Sequence, residues 1–194
     1  MRTVQEGKKD LAQIGWKERA KEIRLLLLDV DGVLTDGRIV YDGRGRELKS
    51  FDIKDGQGIR LLQQAELKVG ILSGRRSSAV RLRARELGIE ILHQKAQDKA
   101  KTLEEILQKN KIRTEQICFM GDDLLDLPVL LRVGFAVAVA DAVEEVKANA
   151  HYVTHHPGGR GAVREICELI LKAQGKWGWV TSKYLPSKPF KPSS

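Results

Sequence analysis

The alternation of apolar and polar positions along the chain predicts buried strands separated by amphipathic helices. Four short, mainly apolar runs are typical of strands that a parallel sheet covers on both faces. These runs are Ile23–Leu28, Leu67–Leu72, Ile117–Met120 and Phe135–Val139. Segments of helical period lie between them at Gly58–Ala65, Ser77–Leu87 and Lys99–Gln108, the last with Asp98 as its N-cap. We therefore expect a doubly wound, Rossmann-like α/β fold with a parallel sheet, which binds ligands at the carboxyl ends of its strands.

One segment breaks this alternation. After the first predicted strand, Arg38–Tyr41 and Glu47–Phe51 have the composition of two short strands. The sequence Asp-Gly-Arg-Gly at 42–45 joins them and is typical of a hairpin turn. We therefore expect a β-hairpin over 36–52, inserted into one domain that spans 23–173.

Both ends of the chain lie outside that domain. In the extension 1–22, Leu11, Ile14 and Trp16 have helical spacing, which predicts a short amphipathic helix. The tail over 174–194 contains three of the five prolines and has no helical period. We expect this tail to be flexible in an isolated subunit.

Composition places the chain among soluble, single-domain proteins. Its 194 residues are 42% apolar and 31% charged, which suits one packed core. A mean hydropathy of −0.31 and the absence of a long apolar run exclude a transmembrane helix, and we recognise no secretory signal. Cys118 and Cys167 lie in apolar segments, as small buried residues of a reducing compartment would. We expect a cytoplasmic protein without a membrane partner.

The net charge of +8 raises the question of nucleic-acid binding. The basic excess is confined to the two ends, 1–24 and 172–194, while 25–171 contains equal numbers of acidic and basic residues. A nucleic-acid surface would need a basic stripe on one element, and we find none. We therefore expect no nucleic-acid partner; binding through the basic ends is the alternative, which predicts strong salt dependence.

The first chemical signal is the pair Asp29 and Asp31 directly after a predicted buried strand. Side chains two residues apart on a strand point the same way, so two anions would lie close together and repel each other unless a cation or a shared proton compensates. A second acidic group, Asp122, Asp123 and Asp126, follows another predicted strand. If the two strands are neighbours, the acids converge and suit Mg²⁺, which prefers oxygen ligands. The alternative for Asp123 and Asp126 is the favourable placement of acids at a helix N-terminus.

Two further motifs complete a site for phosphoryl transfer. Ser73, Gly74 and Arg75 end a predicted strand and open a helix, so a hydroxyl and backbone N–H groups can face an anion there. Lys99 supplies a positive charge at the start of another helix. Taken singly, Ser73 is an ordinary N-cap and Lys99 an ordinary surface lysine; the combination favours a phosphate site.

These motifs in this order resemble the haloacid dehalogenase-like superfamily of phosphohydrolases. The resemblance implies that Asp29 is the nucleophile that becomes an aspartyl-phosphate and that Asp31 is the general acid and base. It also implies the remaining roles: phosphate binding by Ser73, Gly74 and Lys99; Mg²⁺ binding by Asp29, Asp122 and the backbone carbonyl of Asp31; orientation of the metal's water by Asp126 or Asp123.

The gaps between the motifs are too short for a separate cap domain, so the site of one subunit would be open. The segments around the hairpin, the GDDLLDLPVL loop and the GGRG loop resemble a capless branch of that superfamily, the phosphatases of 3-deoxy-D-manno-octulosonate 8-phosphate. That resemblance implies a part in making lipopolysaccharide and a homotetramer in which the hairpins over 36–52 form a central barrel. A nine-carbon sugar acid phosphate as substrate, or a phosphate-binding module without turnover, are the alternatives.

Three basic residues are candidates for the carboxylate of a sugar acid: Lys54, Arg75 and Arg160. The glycines of Gly158-Gly159-Arg160-Gly161 precede a helix and would leave N–H groups open for an anion. The alternative for each basic residue is a surface salt bridge.

Two features have no assigned role. His151, His155 and His156 suggest a transition-metal site, but adjacent loop residues rarely converge, and we interpret them as surface histidines. In the tail, Trp177, Trp179 and Tyr184 lie among lysines. They predict either closure over the open site of a neighbouring subunit or an unstructured end.

Overall fold

Strands and helices alternate along the part of the chain that this computed structural model describes, residues 15–185. In chain order the strands are β1 Leu25–Leu28, β2 Val40–Tyr41, β3 Glu47–Leu48, β4 Lys68–Leu72, β5 Ile91–His93, β6 Ile117–Gly121, β7 Phe135–Ala138 and β8 Tyr152–Val153. The helices are α1 Trp16–Lys21, α2 Ile53–Gln64, α3 Ser78–Glu86, α4 Lys99–Asn110, α5 Leu127–Leu130, α6 Glu144–Ala148, α7 Ala162–Ala173 and α8 Trp177–Thr181. Three 3₁₀ turns lie at Thr114–Gln116, Leu124–Asp126 and Ser182–Tyr184.

Six strands form one parallel sheet in the order β5-β4-β1-β6-β7-β8. The central strand β1 consists of four leucines with no exposed surface, because β4 and β6 pair with its two edges and helices cover the two faces of the sheet. The predicted α/β fold and its four buried strands are confirmed. The sheet order makes β1 a neighbour of both β4 and β6, so the loops that follow these three strands meet at one edge.

Helix α2 shows how an N-cap can be missed in the sequence. It begins at Ile53, five residues before the predicted start at Gly58, because the side chain of Asp52 accepts a hydrogen bond from the N–H of Lys54. The predicted cap of α4 is confirmed, since Asp98 accepts from the N–H of Lys101 at 2.9 Å.

The inserted hairpin is present but shorter than predicted. Strands β2 and β3 pair in antiparallel fashion over two residues each. Asp42 closes the turn, because its backbone N–H donates to the carbonyl of Arg46 and its carbonyl accepts the N–H of Gly45. Gly45 has a φ of +72°, which favours glycine. The hairpin contributes no strand to the main sheet.

The two ends differ from their predictions. The predicted lack of helix after Gly175 is wrong for 177–181, where α8 buries Val180 and places Trp177 beneath the cations of Arg164 and Lys172. A five-residue helix is too short to show a period, and its stability comes from these tertiary contacts. Residues 186–194 lie outside the described residues.

At the other end, α1 covers part of the predicted helix, while Leu11 and Ile14 also lie outside the described residues. None of the helices between residues 15 and 185 combines the length and the apolar composition that crossing a membrane requires.

Candidate active site

Three carboxylates meet at the carboxyl ends of the two neighbouring strands β1 and β6. Asp29 directly follows β1, and its N–H donates to the carbonyl of Met120 in β6 at 3.1 Å. Asp122 directly follows β6, and Asp126 lies one turn further on. One carboxylate oxygen from each of Asp29, Asp122 and Asp126 lies within 4.8 Å of the other two. The predicted convergence of acids from two non-consecutive strands is therefore confirmed for these residues.

Lys99 compensates part of this negative charge. From the first position of α4, its ammonium group donates to Asp29 and to Asp126, each at 2.7 Å. Its side chain is buried, as is that of Asp126. The second oxygen of Asp126 accepts the N–H groups of Asp122 and Asp123, at 3.0 and 3.3 Å, and so folds the acidic loop around the cluster.

The cluster remains short of positive charge. Burial, and then the charge of Asp126, raise the pKa of Asp29 to about 6 although Lys99 opposes the change. Burial, followed by Asp126 and Asp29, raises the pKa of Asp122 to about 8. Buried oxygen ligands that repel one another fit a hard divalent cation, which would relieve the repulsion.

A glycine makes room for this arrangement. A Cβ on Gly32 would lie 2.0 Å from a carboxylate oxygen of Asp122, and the φ of Gly32 is +91°. Glycine is therefore required at this position, both by the close approach of the carboxylate and by the left-handed backbone.

Asp31 stands apart from the cluster. The chain leaves the strand at Leu28 and turns, with the N–H groups of residues 33–35 donating to the carbonyl of Val30. Strand alternation therefore does not extend to Asp31, and the expectation that it faces the same way as Asp29 on a strand is wrong. Its carboxylate instead contacts the ammonium of Lys49, and its second oxygen lies 3.5 Å from Nε of Arg75.

The loop that follows β4 brings Ser73 to the same edge of the sheet. Ser73 is buried, and its backbone N–H donates to the carbonyl of His93 in the neighbouring strand β5. Its hydroxyl accepts the N–H of Arg75 at 3.3 Å. The prediction that Ser73 opens a helix is wrong, because α3 begins only at Ser78; Ser73 and Gly74 lie in the loop between strand and helix.

The two acids predicted to orient metal-bound water have different surroundings. Asp123 is exposed, and its side chain accepts the N–H of Leu124 at 2.7 Å, which caps the following 3₁₀ turn. The alternative of a structural acid at a helix start is thus the better description of Asp123. Asp126 is a buried member of the cluster itself.

The glycine loop 158–161 packs against the loop that follows β1, at Gly32 and Thr35, but does not offer open N–H groups. Gly158 donates to Asp141, Gly159 to the carbonyl of Val33 and Gly161 to Asp55. The prediction of free N–H groups at this loop is wrong, because acceptors from other segments satisfy them.

Arg160 and Lys54 are not members of the carboxylate cluster. Both line a cavity of about 690 Å³ between α1, α7 and the start of α2. The three residues predicted to bind the substrate carboxylate therefore lie in two different places. Arg75 contacts Asp31, whereas Lys54 and Arg160 line this cavity.

The paired histidines bind a glutamate. Nδ1 of His155 and Nδ1 of His156 lie 2.9 and 2.8 Å from the carboxylate oxygens of Glu165, which also accepts the hydroxyl of Tyr152 at 2.8 Å. His151 instead accepts the N–H of Ala136 with its own Nδ1. The interpretation against a transition-metal site agrees with this geometry. Among residues 15–185, the carboxylate cluster is the group found with the spacing of a metal site.

Sequence reasoning missed four residues that shape the site. Lys49 and Glu47 reach it from the hairpin, and Asp55 and Asp141 hold the glycine loop. The alternation of Glu47, Leu48 and Lys49 was the available signal for the first two, because it places both charges on one side of a strand. Asp55 carried no such signal, although it is fully buried and caps α7 from another helix.

Comparison with known proteins agrees with this geometry. Residues 88–166 match the model of a family described as haloacid dehalogenase-like hydrolase. The 3-deoxy-D-manno-octulosonate 8-phosphate phosphatase of Yersinia pestis is 49% identical over 159 residues, which are 82% of this chain and 85% of that protein. The enzyme of the same name from Escherichia coli K12 is 48% identical over 81% of this chain and 84% of its own.

A crystal structure from Moraxella catarrhalis has a similar fold. It contains the phosphatase of the same name in complex with a magnesium ion, a phosphate ion and KDO. Its TM-score to this chain is 0.86 at 39% identity, and the match covers 88% of this chain and 98% of that one.

Proposed function

The chain belongs to the 3-deoxy-D-manno-octulosonate 8-phosphate phosphatases of the haloacid dehalogenase-like hydrolases, and from this premise we propose how it acts and on what. It is a phosphoric monoester hydrolase. Its substrate is 3-deoxy-D-manno-octulosonate 8-phosphate, and its products are the free sugar acid and inorganic phosphate. The reaction takes place in the cytoplasm and supplies the sugar for lipopolysaccharide.

The observation that carries this proposal is the buried cluster of Asp29, Asp122 and Asp126 around Lys99. The same edge of the sheet holds the buried Ser73. A phosphate dianion would be repelled by a carboxylate nucleophile unless positive charge neutralised it first. Lys99 supplies part of that charge, and Ser73 supplies a hydroxyl donor.

The carboxylates fit Mg²⁺, which we propose as the cofactor. Asp29, Asp122 and the backbone carbonyl of Asp31 would hold it, and Asp126 lies close enough to bind it directly or through water. When bound, the ion withdraws negative charge from the phosphate oxygens and so makes the phosphorus open to attack.

Asp29 carries the covalent step. Asp31 enters the cycle protonated. The free carboxylate oxygen of Asp29 attacks phosphorus, and the bond between phosphorus and the sugar oxygen breaks as Asp31 gives that oxygen its proton. Asp31 then takes a proton from a water molecule, whose oxygen attacks the aspartyl-phosphate. Inorganic phosphate leaves, and both carboxylates return to their starting states.

The sugar acid lies on the side of Asp31. Arg75 is at contact distance from Asp31 and is the nearest candidate for the sugar carboxylate. Lys54 and Arg160 line a separate cavity, and their positive charges would attract an acidic substrate toward this part of the surface.

Phosphate release from a panel of sugar phosphates tests this function. We expect turnover of the eight-carbon substrate that stops on addition of EDTA and returns with Mg²⁺, and less turnover of a nine-carbon keto-deoxy acid phosphate. Asp29→Asn should lower kcat by at least about 1,000-fold, because Asp29 is the group that accepts the phosphoryl group in this mechanism. The exposed Asp36→Asn is the matched control and should turn over normally.

Two results would contradict the proposal. Full turnover by Asp29→Asn would remove the covalent step. Tight Mg²⁺ binding without phosphate release from any substrate would favour a phosphate-binding module without catalysis.

A further inference from the structure

Four charged side chains form a closed ring beside the carboxylate cluster. One oxygen of Asp31 contacts Nζ of Lys49, and the other lies 3.5 Å from Nε of Arg75. Glu47 completes the ring. One of its oxygens lies 3.5 Å from Nζ of Lys49, and the other accepts a hydrogen bond from the guanidinium group of Arg75. Two acids and two bases therefore alternate, and the ring carries no net charge when both acids are ionised, which for Asp31 is the state after it has given up its proton.

Two members of the ring come from the hairpin. Glu47 lies in β3 and Lys49 follows it, while Arg75 comes from the loop after β4. The side chain of Lys49 is only 1% exposed, although its neighbours Leu48 and Ser50 are exposed. A lysine is seldom buried unless its ammonium group is paired, so the two carboxylates explain why this one is inside.

We propose that Lys49, held by Glu47, is a positioning residue that fixes the carboxylate of Asp31 at the departing oxygen of the substrate. The inference rests on the proposed function, in which Asp31 transfers the proton. Proton transfer requires the two oxygens to lie within hydrogen-bond reach. Lys49 and Arg75 each hold one oxygen of Asp31, which keeps the carboxylate out of the neighbouring cluster and in one orientation.

The ring also explains why a hairpin outside the main sheet is part of the catalytic unit. Asp31 lies in a turn rather than in a strand, so the sheet alone does not fix its side chain. Lys49 supplies that constraint from the hairpin, and Glu47 keeps Lys49 in place. A misplacement of about 1 Å in such a group can reduce the rate about 100-fold.

A double-mutant cycle in steady-state phosphate release, with kcat and KM measured for each variant, tests the proposal. Lys49→Met should lower the rate about 100-fold with little change in KM, and Lys49→Arg should restore it to within about tenfold of the wild type because it keeps the charge. In an Asp31→Asn background, Lys49→Met should cost less than about twofold, because its target is gone. Glu47→Gln/Lys49→Met removes one charge of each sign, so the ring keeps its charge balance. This double variant is the control for a folding defect that Lys49→Met alone could cause. Lys109→Met, on the exposed side of α4, is the matched control.

The outcomes separate this inference from the proposed function. Multiplicative losses of Asp31→Asn and Lys49→Met would overturn it, since a structural role or an independent catalytic role predicts them. A rise in KM with unchanged kcat would also overturn it, by placing Lys49 on the substrate. Failure of the wild type to release phosphate from the eight-carbon substrate would instead contradict the proposed function. The double-mutant cycle is then run on whichever sugar phosphate the enzyme hydrolyses.

Discussion

At the scale of single residues, the carboxylate cluster links metal binding to protons. The pKa of Asp122 is raised to about 8 and that of Asp29 to about 6, in both cases first by burial and then by the other acids. At neutral pH the metal-free cluster therefore retains a proton, which a divalent cation must displace because it binds the ionised carboxylates. Metal affinity should rise with pH until both groups are ionised.

We expect the apparent Kd for Mg²⁺ to tighten as pH increases from 6 to 8, by about 50-fold if the proton released is that of Asp122, whose pKa is about 8. Titration calorimetry in two buffers of different ionisation enthalpy measures that proton directly. Asp122→Asn, which cannot hold the proton, should weaken binding and remove its pH dependence. An affinity that is constant from pH 6 to 8 in the wild type would contradict the coupling.

Residues next to buried strands were the predictable part of this site. Asp29 and Asp122 could be placed from the sequence, because each directly follows a recognisable apolar run and neighbouring parallel strands end at one edge. The prediction for Asp31 was wrong, because three residues beyond the end of β1 the backbone has already turned. Lys49 and Asp55 escaped notice, because their partners are distant in sequence and only the tertiary fold brings them together.

At the scale of elements, Glu165 anchors the loop after β8 to helix α7. Its carboxylate accepts from both histidine rings, from Tyr152 and from the N–H groups of His155 and His156. Burial alone would raise the pKa of Glu165, but the hydrogen bonds from the two histidines outweigh it and lower the pKa to about 2. The loop fixed in this way leads into Gly158 and Gly159, which pack on the loop that follows β1.

The depressed pKa predicts how stability depends on pH. A carboxylate whose folded pKa lies below its unfolded value stabilises the fold above the unfolded pKa, and the gain is lost as pH falls toward about 2. Glu165→Gln should therefore lower the free energy of unfolding by about 1–2 kcal/mol at pH 7, because solvent screens the exposed histidine rings, and by progressively less below about pH 4.5. Urea denaturation at several pH values measures the difference. Glu105→Gln, at an exposed position of α4, is the control. A difference that stays constant down to pH 3 would refute this account.

Helix α8 illustrates which elements a sequence pattern cannot supply. The long strands and helices were predictable from their period, whereas α8 has five residues and depends on Arg164 and Lys172 lying over Trp177. Such an element forms because α7 already presents those cations. Its existence is therefore a consequence of the fold rather than of local propensity.

At the scale of the whole molecule, the hairpin is unusual because it exposes a cluster of apolar side chains to solvent. Four of its apolar side chains are between 49% and 60% exposed: Ile39, Val40, Tyr41 and Leu48. A two-stranded hairpin is only marginally stable alone, and clustered apolar side chains on a surface commonly mark an interface. These observations are what the homotetramer expected from the sequence resemblance, with the hairpins at its centre, would require. Since Lys49 belongs to the same hairpin, assembly would also steady the ring around Asp31.

The cross-strand pair Val40 and Leu48 offers a direct test of that assembly. Val40→Glu/Leu48→Glu would bring charges of one sign together wherever hairpins meet, so we expect light scattering to give a mass below that of a tetramer. Turnover should fall along with the mass, because the freed hairpin holds Lys49 less firmly. Leu82→Glu, at a comparably exposed position of α3, should leave both quantities unchanged. A wild-type protein that is monomeric at micromolar concentration, or a double variant with the full mass, would show that the apolar side chains of the hairpin serve another purpose.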